Sequence, residues 1–392
     1  MLMSCVVGLA LVEFGSRLLL LKKGAYQSQF RVVAAPYGVY DRKVGVSYLP
    51  DTAFSPVVVT DGAVTACMGE VSRANRDGLR GRTTLNEYAR AAVRIAVIGD
   101  SFSHWRREGL TWPDLFQDRL AQSLGRSVAV LNYGAGGYGV LQMIDLAVEV
   151  AEQQRPDAIV IAFITDDLTR ARWWNRIETI DGVVRPMILP EAEGVDLAQA
   201  RDQYLVHPAA TDAWCRAQLG QPPTPELTAI VAQYRLVHDA LWRAHGRRPP
   251  SFWDLHGSVV FNKITTGVAI DPLMYSLPRI RFSSFMEDAR FAADVARLRV
   301  SGVHIVLVHL PNAAELAAGR LSLSRTESAL WRSLEEGLGT AVRVTSGVVA
   351  PEAVPAGLSL LPLDPHPSPA GLRFYGEQVA ERFLEQPRGQ AK

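Results

Sequence analysis

Arg94-Ile-Ala-Val-Ile98-Gly99-Asp100-Ser101-Phe102-Ser103 is the stretch whose reading decides the fold. Arg94 to Ile98 is a short apolar run that ends in Gly-Asp, the pattern of a strand buried in a sheet. Working outward, Trp112 to Leu124 has helical spacing and Val128 to Leu131 is a second apolar run. Val140 to Glu152 again has helical spacing, and Ala158 to Ile164 is a third strand. Beyond a long gap, Ser284-Phe-Met-Glu287 is a capping box that predicts a helix to about Arg299. Val303 to Leu310 reads as a fourth strand, Ser324-Arg-Thr-Glu327 opens another capped helix, and Ala341 to Thr345 reads as a fifth strand. Ser368-Pro369 is an N-cap with proline at the first helical position. Strands that alternate with helices imply an α/β fold, a doubly wound parallel sheet between two helical layers.

The chain has 392 residues, 48% hydrophobic and 21% charged, which excludes wholesale disorder and fits two to three domains. A formal net charge of +1 exerts no global pull on nucleic acid, and no nucleic-acid partner is expected. The three cysteines, Cys5, Cys67 and Cys215, have no metal-ligand spacing and cannot form a closed disulfide framework. A single Cys67–Cys215 bridge is compatible with the count, so the cysteines leave the compartment open.

Met1 to Val12 carries no charge; Glu13 and Arg17 follow, then Leu18 to Leu21 and Lys22-Lys23. Taken to Leu21, the stretch reaches the roughly 20 residues that a bilayer-spanning helix needs. Glu13 and Arg17 are placed to pair at i,i+4. No basic flank precedes the run and no small-residue cleavage site follows it, so a removable signal peptide is not expected. The stretch reads as a membrane anchor, with a buried amphipathic helix as the alternative. Lys22-Lys23 puts the body of the protein in the cytoplasm by the positive-inside rule, and a basic flank upstream of Met1 would reverse that.

These signals divide the chain into an anchor (1–23), an irregular leader (24–90), a first part of the α/β domain (91–169), an insertion or cap (170–282) and a second part of the α/β domain (283–386). The leader includes the strand-like Val57-Val58-Val59 and the turn signal Asn75-Arg-Asp-Gly78. The insertion holds Trp173, Trp174, Trp214, Trp242 and Trp253, and a structureless loop of that length is improbable.

In an open parallel sheet, functional groups gather beyond the carboxyl ends of the strands. Four segments fall there: Gly99 to Ser103, Asn132-Tyr-Gly134-Ala-Gly136-Gly137-Tyr-Gly139, Thr165-Asp166-Asp167, and Asp364-Pro-His366-Pro. A serine hydroxyl is a weak nucleophile that needs a base within hydrogen-bond reach, and the base needs an orienting acceptor. His366 and Asp364 can supply both to Ser101.

These blocks resemble the SGNH (GDSL-type) hydrolase superfamily, specifically its membrane-anchored bacterial members. Gly99-Asp-Ser-Phe102 is similar to the nucleophile block, Asn132 to Gly139 with Gln142 to the glycine block, and Asp364-Pro-His366-Pro with Gly371 to the C-terminal block. Tyr40-Asp41, Gly45 to Pro50, Asn75 to Gly81 and Glu13-x-x-x-Arg17 resemble the leader and membrane exit of anchored members. The resemblance spans about residues 10–170 and 283–386. It implies a flavodoxin-like sheet and a serine esterase or O-acyltransferase acting through an acyl-enzyme. Ser101 is then the nucleophile, His366 the base and Asp364 its partner, with Gly137 and the Ser101 N–H in the oxyanion hole. The family further implies an acyl ester, such as acetyl on a cell-envelope glycan or similar polyol, and an inner-membrane protein with an extracytoplasmic catalytic domain. No cofactor or metal is implied.

One block departs from the family pattern Gly-x-Asn-Asp: here it is Ile164-Thr165-Asp166-Asp167, with Asp166 in place of the oxyanion asparagine. An ionised Asp166 would repel the developing negative charge. Three resolutions are open: a protonated Asp166, a donor from Thr165 or Ser103 instead, or a weak or inactive enzyme. The second is the expectation. A non-catalytic binding or assembly protein on the same fold is the alternative function.

Other features compete. Gly134-Ala-Gly136-Gly137-Tyr-Gly139 is a literal G-x-G-x-x-G, and Asp166 would then hold a ribose, the reading of an NAD-type dinucleotide enzyme. His104 follows Ser103 and is set aside as a base, because neighbouring residues rarely face each other productively; His309 reads as a structural histidine, Asp100 as a brace for the turn, and Trp173-Trp174 as packing within the cap. Arg170, Arg172 and Arg176 read as a solvated face.

Overall fold

A computed structural model describes chiefly residues 47–59, 63–170, 210–222, 282–312, 323–338 and 366–385, together with the backbone of several short strands. The chain divides into two units. One joins Asp41–Phe54, Glu70–Asn175 and Pro278–Lys392; the other joins Met1–Tyr40, Ser55–Gly69 and Arg176–Leu277.

The first unit contains the parallel sheet. Its strands are β1 (Val93–Gly99), β2 (Val128–Asn132), β3 (Ala158–Phe163), β4 (His304–His309) and β5 (Arg343–Thr345). Their spatial order is β5-β4-β3-β1-β2, and every neighbouring pair is parallel. This is the flavodoxin-like order, in which the topological switch lies between β1 and β3. The helices are α1 (Ser101–His104), α2 (Trp112–Leu124), α3 (Val140–Gln154), α4 (Thr165–Thr169), α5 (Ala289–Ser301), α6 (Arg325–Leu338) and α7 (Pro369–Glu385).

Alternation along the strands sends one set of side chains to each helical layer. Ile95 and Val97 of β1, Val160 of β3 and Val306 of β4 share a core with Trp112, Phe116 and Leu120 of α2 and with Leu372, Tyr375 and Val379 of α7. Trp112, Phe116 and Leu120 recur every four residues, and all three are fully buried. Each such side chain contributes roughly 1.5–3 kcal/mol on burial. Residues Thr111 and Asp114 cap α2 reciprocally, and Gly125 ends it in the left-handed conformation. On the opposite face Phe163 of β3 meets Trp331 of α6, with ring centroids 5.1 Å apart.

The Ser284 capping box forms, with Glu287 accepting from the Ser284 N–H at 3.1 Å, but it caps only a 3₁₀ turn over Phe285–Glu287. The helix begins at Ala289, because Asp288 takes over as N-cap and accepts from the Phe291 N–H at 2.8 Å.

The 24–90 stretch carries more regular structure than its sequence suggests. The Asn75 turn forms, with Gly78 at φ 78° and the Asn75 carboxamide oxygen accepting from the Asp77 N–H at 2.9 Å. The second unit holds a four-stranded sheet in the order Tyr204–Val206, Gln29–Val33, Val57–Thr60, Ala63–Cys67. Segments from the leader and from the insertion therefore share one sheet. A Cys67–Cys215 disulfide links the last strand to the helix Asp212–Gln218, over a sequence separation of 148. Cys215 packs with Val57, Val59, Val64, Ala210 and Leu227 in a small core of this unit.

Near the N-terminus residues 10–16 are helical. Leu11, Val12, Phe14 and Leu18 are 48–66% exposed, which corrects the reading of a buried amphipathic helix. Among the described residues, no helix is long and apolar enough to cross a membrane. Trp173, Trp174, Arg172 and Arg176 lie outside the described residues.

Candidate active site

Ser101 is the first residue of α1, directly beyond the carboxyl end of β1. Asp100 caps the turn: its carboxylate accepts from the Phe102 N–H at 2.9 Å and from the Ser101 hydroxyl at a long 3.4 Å. Asp100 is fully buried, in keeping with the brace read from the sequence.

His366 lies on the strand Asp364–Pro367, which packs against α1. Its imidazole stacks on the Trp105 indole, with centroids 3.7 Å apart and planes 6° apart, and Phe102 lies 5.5 Å away on centroids. The Ser101 turn thus packs on the ring of the candidate base, although Ser101 and His366 lie 265 residues apart in sequence. Asp364 occupies the same strand, two residues before His366.

The glycine block forms the loop after β2. Asn132, fully buried, donates to the Ser103 carbonyl at 2.8 Å and accepts from the Gly134 N–H at 2.9 Å, so it ties the loop to the nucleophile turn. A Cβ at Gly134 would lie 2.7 Å from the His104 nitrogen and 2.8 Å from the Ser103 carbonyl carbon. Gly136 faces the His104 ring, and Gly139 faces the Arg170 backbone. These glycines serve close packing within the site rather than approach to a pyrophosphate, which counts against the dinucleotide reading. Gly137 has φ 80°, a left-handed conformation suited to glycine. From the leader, the Tyr48 hydroxyl accepts from the Gly136 N–H at 3.1 Å. The Arg80 guanidinium in turn lies 3.0 Å over the Tyr48 ring.

The third block forms α4. Asp166 is its second residue and is half-buried. Of the two substitute donors expected from the sequence, Thr165 is engaged elsewhere. The Thr165 hydroxyl donates to Glu315 and lies 2.9 Å from His309 Nε2. Ser103 is fully buried. His309 is a structural histidine, as read: burial lowers its pKa to about 4, so the ring is neutral. A Thr165 hydroxyl that donates to Glu315 then accepts from the His309 Nε2–H. His104 is also buried, beneath Gly136.

Arg170 corrects the reading of a solvated face. It is buried, pairs with the fully buried Asp167 at 2.6 Å and donates to the Tyr138 carbonyl at 3.2 Å. Burial pushes the Asp100 and Asp167 carboxyls up, and the Asp100 charge pushes Asp167 further, well above the usual carboxylate range. The Arg170 guanidinium opposes both shifts. Arg170 thereby joins the third block, the glycine loop and the Asp100 cap of the Ser101 turn. The i,i+3 spacing from Asp167 was the signal for it. Trp105 went unread at i+4 from Ser101, one turn along the same face.

Residues 97–257 match the model of the GDSL-like Lipase/Acylhydrolase family. The match supports the SGNH superfamily. It contains the nucleophile, glycine and third blocks and ends before Asp364 and His366. Ester chemistry, by hydrolysis or acyl transfer, is the activity that this family suggests. Among solved structures, one described as a lipolytic protein of the G-D-S-L family from Desulfitobacterium hafniense DCB-2 aligns over 73% of this chain and 97% of its own, at 11% identity and a TM-score of 0.31. No curated protein matches by sequence.

Proposed function

We propose that the protein is a serine esterase or O-acyltransferase that works through an acyl-enzyme on Ser101. The observation that carries this reading is the packing of His366 on the Ser101 turn, through Trp105 at 3.7 Å and Phe102 at 5.5 Å. His366 takes the hydroxyl proton as Ser101 Oγ attacks the acyl carbonyl, and Asp364 holds the resulting imidazolium. The Ser101 and Gly137 N–H groups receive the oxyanion. Collapse expels the alcohol, which takes its proton from His366. Water or an acceptor hydroxyl then releases the acyl group, so hydrolase and transferase share every earlier step. The substrate is an acyl ester, such as acetyl on a cell-envelope glycan or similar polyol, by family analogy.

The same reading places the catalytic unit outside the cytoplasm, held at the inner membrane by the N-terminal segment. A disulfide is the bond of an oxidising compartment, and the Cys67–Cys215 link supports this placement. The exposed Leu11, Val12, Phe14 and Leu18 support an apolar partner for the N-terminal helix.

A second reading, a binding or assembly protein on this fold, draws on Asp166. With the Thr165 hydroxyl engaged by Glu315, one of the two expected substitutes for the asparagine amide is already committed. Labelling of the purified full chain with a fluorophosphonate, beside Ser101→Ala, separates the two. Labelling that disappears in the variant supports the esterase; a folded wild-type chain that does not label supports the binding protein.

A further inference from the structure

Trp105 leaves α1 as its C-cap, 3% exposed, with its N–H donating to the Ser101 carbonyl at 3.0 Å. The next residue is anchored as well: the Arg106 N–H donates to the Val71 carbonyl at 2.8 Å, and its guanidinium pairs with Glu70 at 3.1 Å. The indole is therefore held from both sides along the chain. An apolar core would need only a bulky side chain here. The near-parallel stack, 6° between planes, is more specific than that.

We propose that Trp105 is a positioning residue for the candidate base: it fixes the plane of His366 and stabilises the imidazolium that forms when Ser101 loses its proton. This inference rests on the Ser101–His366 reading above. The face of an indole is electron-rich and attracts a cation laid over it, most strongly when water is excluded. A neutral imidazole gains only stacking from the same contact. The interaction thus strengthens as the proton moves, the condition for lowering a barrier rather than merely binding a ground state. The stack also restricts rotation of the ring out of its plane, so the nitrogen that receives the proton stays aimed as Ser101 reacts.

One buried carboxyl also acts on the His366 ring, and other charged groups lie on the same strand or over the indole. Asp100 interacts electrostatically with His366, Asp364 shares its strand, and the Arg107 guanidinium lies 4.7 Å from the centroid of the same indole. Glu315 and Tyr375 are further titratable groups of the unit, but their described bonds go elsewhere, to Thr165 and to the Pro311 carbonyl. Arg107 draws on the same π-system as His366, so the contribution of Trp105 is best isolated by changing the indole alone.

The test uses the full chain as wild type, Trp105→Phe, Trp105→Tyr, Trp105→Ala and Ser101→Ala, with a soluble acetyl ester such as p-nitrophenyl acetate. Thermal melts establish that each variant is folded. Trp105→Phe keeps the bulk and weakens the cation contact. It is expected to lower kcat roughly threefold to tenfold with KM within twofold, and to move the acidic limb of kcat/KM to lower pH by about half a unit. Trp105→Tyr should fall between wild type and Phe. A role confined to packing would lower the melting temperature and leave the pH limb in place. If Ser101→Ala abolishes hydrolysis while the folded Phe variant keeps both the limb and kcat, the inference about Trp105 is overturned and the serine mechanism stands. If Ser101→Ala retains full hydrolysis, the serine mechanism falls and takes the inference with it. Trp105→Ala is interpreted only if folded; the Phe and Tyr variants decide the matter without it.

Discussion

Gly134 gives the sharpest test of how the glycine loop serves the nucleophile. The loop is pinned on both sides of it: the Tyr133 N–H donates to the Val97 carbonyl at 2.8 Å and the Ala135 N–H to the Gly99 carbonyl at 2.9 Å. Gly134 itself donates to Asn132 at 2.9 Å. Its φ is not positive, so alanine meets no backbone penalty and only space matters. An added methyl would sit 2.7 Å from the His104 nitrogen, 2.8 Å from the Ser103 carbonyl carbon and 3.0 Å from the Ser103 Cβ, where ordinary contact begins at 3.4 Å. Relief requires a separation of about 0.7 Å between two backbones, and the one that moves carries Ser101. Misplacement approaching 1 Å costs about 10²-fold in rate. Gly134→Ala should therefore slow fluorophosphonate labelling and ester hydrolysis by about tenfold to a hundredfold. Overpacking should also destabilise the fold by about 1–3 kcal/mol, read as a drop of several degrees in melting temperature. Gly136→Ala is the comparator, because its nearest neighbour is a side-chain atom, the His104 Cε1 at 2.9 Å, rather than backbone. Its loss should be severalfold at most. Wild-type labelling by Gly134→Ala, or a larger loss from Gly136→Ala, would refute the reasoning.

Asp166→Asn restores the family's oxyanion donor and should raise kcat/KM for an acetyl ester at least tenfold, since one such donor is worth about 10²–10³ in rate; an unchanged or lower value would show that Asp166 does not face the developing charge. Removing Arg170 leaves two buried carboxyls uncompensated, so Arg170→Ala should cost about 3–5 kcal/mol. The pH dependence has a definite sign: with Asp100 and Asp167 raised above their unfolded values, the folded state holds protons that the unfolded state releases, and stability falls as pH rises from about 4. Melts of Arg170→Ala should therefore lie closest to wild type near pH 4 and furthest from it near pH 8. Alkylation of the denatured, unreduced protein should modify one cysteine of three, and reduction should lower stability by about 3–5 kcal/mol for a loop of 148 residues.

The unit with the parallel sheet was legible because its signals are local. Trp112–Leu124 reads from its spacing, and the bounds found are those expected. The run from Arg94 to Ile98 became Val93–Gly99, since a strand buried on both faces needs no partner in sequence to announce itself. The second unit was opaque for the opposite reason. Gln29–Val33 pairs with Tyr204–Val206 and with Val57–Thr60, so its sheet exists only once distant segments meet. Nothing in three to five residues of either segment specifies that register. The Cys67–Cys215 pairing is of the same kind: two thiols are compatible with a bond, and only the fold brings their Cα atoms to 5.9 Å.

Arg170 and Trp105 show why the site itself was only half legible. An isolated arginine after a short helix defaults to solvent, because burying a guanidinium costs several kcal/mol unless something repays it. What repays it here is the demand of two carboxyls. Asp100 must sit inside to cap the Ser101 turn, and Asp167 must sit inside to cap α4, where it accepts from the Ile164 N–H at 3.0 Å. Each carboxyl is set by a local backbone bond that the sequence advertises. Their shared need for a cation follows from the order β3 beside β1, which is a property of the sheet. Trp105 follows the same logic: its spacing from Ser101 is local, but its value depends on a histidine 261 positions later. The blocks of this site are therefore readable as parts, whereas the residues that hold the parts together become visible only when strand order is known.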